Sequence, residues 1–145
     1  MKPGFQIGAL SEIAIHTNNM SEMISFYRDC LGLEPFSTRA NGTIEFFRIS
    51  AGYKGLTTVL ALFDAGRNQS ITSGRGESAS SLHHIALAVT RPDQDVAEKW
   101  FAQNGIETRI EDFTWVGWRG LFVKDPDGNT VELVAHDPDL HDPKV

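Results

Sequence analysis

Apolar positions along this chain recur first with the two-residue period of a strand and then with the period of a helix, and the whole pattern occurs twice. Ile13 and Ile15 alternate with Ala14 and His16, as in a strand that buries one face. Asn19, with Glu22 three positions later, gives a helix-start signature, and Met20, Met23, Ile24, Tyr27 and Leu31 keep helical spacing. Gly32 supplies a left-handed stop. A strand is predicted from Glu34 to Ala40. Asn41-Gly42 then predicts a tight hairpin, followed by the strands "TIEFFRIS" and "LTTVLALF".

From Leu82 the same order returns in "LHHIALAVTRPDQDVAEKWFAQNGIETRI", with Thr90 as a helix cap, Pro92 in the first turn and Gly105 as the stop. Val96, Trp100 and Phe101 are the predicted inward positions of this helix. "WVGWRGLFVK", the turn "DPDGN" and "TVELVAH" make the closing hairpin, with Pro126 suited to the second turn position and Gly128 to the left-handed one. Both halves therefore read βαβββ. Glu12 falls over His84 at a separation of 72, Gly32 over Gly105 at 73 and Ala61 over Glu132 at 71, the small drift of a duplicated module. The predicted class is α+β: one domain of two modules, at about 9–64 and 82–136. A Gly- and Ser-rich linker at 65–81 joins them, and a polar tail follows at 137–145.

Alternation also sorts the side chains into two faces. In "HIALAV" the bulky Ile85, Leu87 and Val89 suit a face packed beneath a helix, which leaves His84, Ala86 and Ala88 on the other. By the same count Glu12, Ala14 and His16 share one face of the first strand, and Glu132, Val134 and His136 one face of the last. Three strands thus send an ionisable residue and a small neighbour to a common kind of surface. A carboxylate such as Glu132 needs a cation or hydrogen-bond donors if that surface is a cavity rather than open water.

Composition narrows the classes. With 145 residues, 41% hydrophobic and 22% charged, the chain can bury a core, and nothing marks disorder. No apolar run approaches the ~18 residues of a membrane span, and the N-terminal stretch lacks a signal-peptide pattern, so a cytoplasmic protein is expected. A net charge of −6 with no basic cluster argues against a nucleic-acid partner. The lone Cys30 excludes an internal disulfide and a cysteine-based zinc cluster, and its place on the helical apolar pattern points to packing.

The pieces "FYRDCLGL", "HHIALAV" and "DPDGNTVEL" resemble the vicinal oxygen chelate superfamily, the group of glyoxalase I, fosfomycin- and bleomycin-resistance proteins and extradiol dioxygenases; the resemblance covers residues 10 to 136. It implies two βαβββ modules whose eight strands form a curved mixed sheet around a cavity, and a homodimer. Family members hold a divalent metal at places that here carry Glu12, Ala61, His84 and Glu132. Alanine has no ligand atom, so the implied set is Glu12, His84 and Glu132, suited to Mn, Mg, Fe, Ni or Zn. One imidazole with two carboxylates is not the two-histidine triad of iron oxygenases, which lowers extradiol dioxygenase chemistry.

His16 lies four strand residues, or ~13 Å, beyond Glu12, too far to share an ion. His16 and His136 are the expected catalytic groups, binding a substrate oxygen or moving a proton. Among Phe46, Phe47, Phe63, Trp115 and Trp118, the two tryptophans are expected in a loop flanking Gly117, where with Phe47 and Phe63 they would contact a flat or apolar substrate. The implied function is a glyoxalase-like, metal-dependent lyase or isomerase acting on a small carbonyl or thiol-conjugated substrate. The alternative is a metal-free small-molecule-binding protein of the bleomycin-resistance type.

Overall fold

All eight expected strands form, in the same order in both halves. The computed structural model describes Gly4, residues 8–66 and residues 82–144, and the chain divides into two compact units, Met1–Glu77 and Ser78–Val145. The first contains β1 (Glu12–Thr17), α1 (Met20–Ser25), β2 (Glu34–Arg39), β3 (Ile44–Tyr53) and β4 (Leu56–Asp64). The second contains β5 (His84–Ala88), α2 (Arg91–Gln103), β6 (Arg109–Phe113), β7 (Trp118–Lys124) and β8 (Thr130–His136). Each unit holds one four-stranded mixed sheet, in the order β1-β4-β3-β2 and β5-β8-β7-β6. Of the expected linker, residues 67–81 lie outside the described residues.

Register shows how closely one unit copies the other. β1 runs parallel to β4 with Glu12 opposite Val59 and Ala14 opposite Ala61; β5 runs parallel to β8 with His84 opposite Thr130 and Ala86 opposite Glu132. Ala61 therefore occupies in the first sheet the place that Glu132 holds in the second. The antiparallel neighbours agree, because Phe46 faces Ala61 and Phe122 faces Glu132. Gly32 and Gly105 close the two helical segments at φ +73° and +69°, a conformation that carries little steric cost only for glycine.

Helix ends and core partners follow the sequence unevenly. Thr90 caps α2 as expected, its hydroxyl accepting the Asp93 N–H at 3.2 Å. Asn19 stands at the cap position of α1 but makes no side-chain capping bond there; instead its N–H donates to Thr17 Oγ1 at 2.9 Å. After Ser25 the first helix widens into a π turn over Phe26–Cys30, in which Leu31 N–H reaches back to Phe26 O. Met23, Phe26 and Tyr27 are buried there, and Tyr27 meets the buried Phe47 with ring centroids 6.5 Å apart.

In the second unit Phe101 is buried, but Val96 (66% exposed) and Trp100 (45% exposed) correct the expected inward face. Gln94 turns inward in their place. Its amide donates to the carbonyls of Arg119 and Leu133 at 2.7 Å each, so a polar side chain can be wholly buried beside β7 and β8. The segment read as a polar tail is also tied down. Asp137 N–H donates to Gly117 O and Asp142 N–H to Thr114 O, both at 2.8 Å, and Arg91 Nε donates to Asp137 Oδ2 at 3.1 Å. No helix among the described residues is long and apolar enough to cross a membrane.

Candidate functional site

Each sheet has a packed face under its helix and an open face, and alternation decides which residues reach the open one. On β5, Ile85 is buried while His84, Ala86 and Ala88 are exposed, as the sequence predicts. On β8 the same alternation places Glu132, Val134 and His136 on the open side, with Val131, Leu133 and Ala135 on the packed side. The cross-strand partners add Phe122, Gly120 and Trp118 from β7, then Arg109, Glu111 and Phe113 from β6.

Glu132 and His84 form the centre of this face. His84 Nε2 lies 3.3 Å from Glu132 Oε2, yet the two side chains differ in exposure, 37% for the imidazole and 7% for the carboxylate. Glu132 is covered although it stands on the open face, because Phe122 lies directly across from it and the Phe122 ring packs 6.4 Å from that of His84. Burial pushes the Glu132 carboxyl above the ordinary glutamate value. The attraction of His84 opposes this, Glu111 reinforces it and Arg109 opposes it more weakly. The other ring nitrogen of His84 is also engaged, since Nδ1 stands 2.8 Å from Nδ1 of His83.

The turn leading into β8 is held by its own side chains. Asp125 is buried and accepts the N–H groups of Asp127 (3.0 Å) and Asn129 (2.8 Å) through Oδ1, and the Asn129 amide through Oδ2. Gly128 adopts φ +82° within it. "DPDGN" therefore sets the start of β8, and with it the register that presents Glu132 rather than Val131 to the open face.

In the first unit Glu12, Ala14 and His16 lie on the exposed side of β1, with Val59 and Phe63 opposite Glu12 and His16. Glu12 lines a cavity of about 350 Å³ with Phe46, Val59, Ser37 and Arg39. Ala61 is fully buried between the strand partners Ala14 and Phe46, so this unit has no second acid at the position of Glu132. His84 and Glu132 are thus brought together within one unit, while Glu12 belongs to the other. Among the described residues no group of three or more His, Cys, Asp or Glu side chains is gathered so as to hold a metal ion.

The aromatic expectations divide. Phe47 faces Leu60 on the packed side and is fully buried, which makes it a core residue and corrects its reading as a substrate contact. Phe63 is half-buried on the open side and meets Phe46 edge to face at 6.5 Å. Trp115 sits in the turn between β6 and β7, but Trp118 is the first residue of β7, opposite His136, rather than a loop residue. Both indoles are exposed, at 62% and 46%. Sequence reasoning missed Phe122, Arg109 and Lys124; the repeat could have found the first, because Phe122 stands where Phe46 does.

Two βαβββ units of matching register, the second bearing a histidine–carboxylate pair on its open face, define a class of duplicated-module proteins built around sheet surfaces. The chain belongs to the Glyoxalase/Bleomycin resistance protein/Dioxygenase superfamily, whose family model matches residues 9–133. Among solved structures it is similar to a lactoylglutathione lyase from Agrobacterium tumefaciens, with 22% identity, a TM-score of 0.68 and coverage of 89% of this chain and 94% of that one. A glyoxalase/dioxygenase from Nostoc punctiforme gives 23% identity and a TM-score of 0.68, covering 95% and 96%. A variant of the fosfomycin resistance protein FosX from Listeria monocytogenes, complexed with Mn(II) and a dihydroxypropylphosphonic acid, gives 17% identity and a TM-score of 0.65, covering 96% and 98%. At these identities the likeness establishes the fold. Comparison with curated protein sequences gives no match.

Proposed function

We propose that the chain is a divalent-metal-dependent lyase or isomerase that acts on a small molecule bearing adjacent oxygens. The observation that carries this reading is the His84–Glu132 pair, 3.3 Å apart on an open sheet face. A carboxylate kept largely from water yet placed on such a face is costly unless a positive charge reaches it. Nitrogen from His84 and oxygen from Glu132 are donors that fit Mn²⁺, Fe²⁺, Ni²⁺ or Zn²⁺, and Glu12 is the further ligand that the family resemblance implies. A bound divalent ion would supply Lewis-acid stabilisation of oxyanion charge.

The remaining work falls to the chain's own groups. His83 fixes the His84 ring through their Nδ1 contact, and Phe122 keeps water from one side of Glu132. His16 and His136, on open faces of their sheets, are the proposed groups that accept or return a proton. Trp115, Trp118 and Phe63 are the proposed apolar contacts with the substrate.

A second reading, a metal-free binding protein, is favoured by two observations: alanine at position 61, where a second acid would stand, and the exposure of Trp115 and Trp118. Metal analysis of protein purified without chelator separates the two. Near-stoichiometric transition metal in the wild type, lost in His84→Ala and in Glu132→Ala, supports the enzyme. No metal in any preparation, with small-molecule binding intact in both variants, overturns it. Screening of metal-loaded protein against glutathione conjugates, α-ketoaldehydes and fosfomycin would then identify the reaction.

A further inference from the structure

At the outer edge of the second unit's sheet a cavity of about 490 Å³ is lined by Arg109, Phe122, Lys124 and Thr130, with Glu107 also on its wall. Its two cations are placed by strand geometry. Arg109 stands directly across from Phe122, and Lys124 follows two residues after Phe122, so both are neighbours of Phe122 on the same face. The Arg109 guanidinium lies over that ring, 4.2 Å from its centroid, which restrains a long side chain that would otherwise sample many rotamers. Nη1 of Arg109 donates to Glu111 Oε2 at 2.6 Å, and Lys124 Nζ donates to its cross-strand partner Thr130. Among the described residues, Arg109 thus keeps donors beyond the one given to Glu111, and Lys124 keeps two of its three.

We propose that this cavity is an oxyanion subsite, which receives a carboxylate, phosphate or phosphonate group carried by the substrate. The assignment deepens the function proposed above and rests on it for the identity of the ligand as substrate. A planar guanidinium and an ammonium on the wall of one cavity give a fork and a point charge for one anionic head, in a chain whose net charge is −6 and which would otherwise repel it. Position supplies the link to the reaction. Phe122 stands between Arg109 and Glu132, so Lys124 is on the strand next to that of Glu132 and Arg109 is two strand spacings, ~10 Å, from it on the same face. The substrate class is therefore a short molecule whose oxyanion stands a few bonds from its adjacent reactive oxygens.

The test uses the full chain with excess chelator, which removes metal from the question, and follows backbone amide shifts on titration with methylphosphonate and, separately, with propionate. Saturable shifts at β6 and β7 with either probe support the subsite, and the probe that binds more tightly names the head group. Arg109→Gln and Lys124→Gln each weaken binding about tenfold, the size of one charge-assisted hydrogen bond, while Lys124→Arg retains it. Glu111→Gln, which releases an arm of Arg109, tightens it. Circular dichroism confirms that each variant is folded, and metal uptake by Lys124→Gln measured without chelator stays at the wild-type level. No saturable shift with either probe, or binding indifferent to both neutral variants, overturns the subsite, and does so whether or not His84 and Glu132 hold a metal.

Discussion

Glu132 occupies space that any side chain at position 120 would need: a methyl group on Gly120 would come within 2.6 Å of Glu132 Oε1 and 2.6 Å of the Phe122 ring. The glycine is required here for close approach, not for its backbone angle. Gly120→Ala is expected to displace the carboxylate from His84 and to lower stability by about 1–3 kcal/mol, the usual cost of overpacking. Urea denaturation gives the stability. Loss of metal uptake without loss of fold would separate the local effect from the global one.

Glu132 also makes stability depend on pH in metal-free protein. Its carboxyl is raised in the folded state, mainly by burial, so the folded chain holds its proton to a higher pH than the unfolded chain does. Below the ordinary glutamate value both states are protonated and the folded state bears no penalty. As pH rises from that value through the raised one, the unfolded chain ionises first and stability falls. Glu132→Gln removes the effect, so thermal melts with chelator should show the variant gaining on the wild type across that window, and the two converging at its acidic end. A constant difference at all pH values would place the cause elsewhere.

The two adjacent phenylalanines of β3 should part company. Phe47 is fully buried against Tyr27, and Phe47→Ala is expected to cost about 3–5 kcal/mol. Phe46 lies on the open face, half-buried, with the Phe63 ring beside it. Phe46→Ala should cost clearly less, and denaturant midpoints of the two variants measure the gap.

Gln94 is expected to behave as a core residue despite its polarity. Replacing it with leucine keeps the volume but leaves the carbonyls of Arg119 and Leu133 without their donor. The expected loss is about 1–3 kcal/mol, read from the urea midpoint. Val96→Ala, on the exposed part of the same helix, should change stability by less than about 0.5 kcal/mol.

The difference between Gln94 and Val96 shows where sequence reading stopped working. Hydrophobicity placed Val96 and Trp100 inside α2, but the helix meets the sheet through Gln94 and Phe101, seven residues apart and so on one stripe. A buried glutamine is stable only because two strand carbonyls happen to lie within reach, and no local pattern announces that. Glu132 was legible for the opposite reason. An acid between Val131 and Leu133 in a strand has one alternative to the core, the other face.

Much was therefore determined by the residues themselves. The period-two runs, the glycines after each helix, the "DPDGN" turn and the offset between the halves specify two βαβββ units and the face on which Glu12, His16, His84, Glu132 and His136 stand, because each depends on neighbours a few positions away. Tertiary structure decided the rest: that Phe47 fills the core, that Trp118 begins a strand, that His84 reaches to 3.3 Å of Glu132, and that Arg109, Phe122 and Lys124 line one cavity. Those relations depend on strand register and on burial by residues far away in the chain, and such non-local contacts are set only when the sheet closes on its helix.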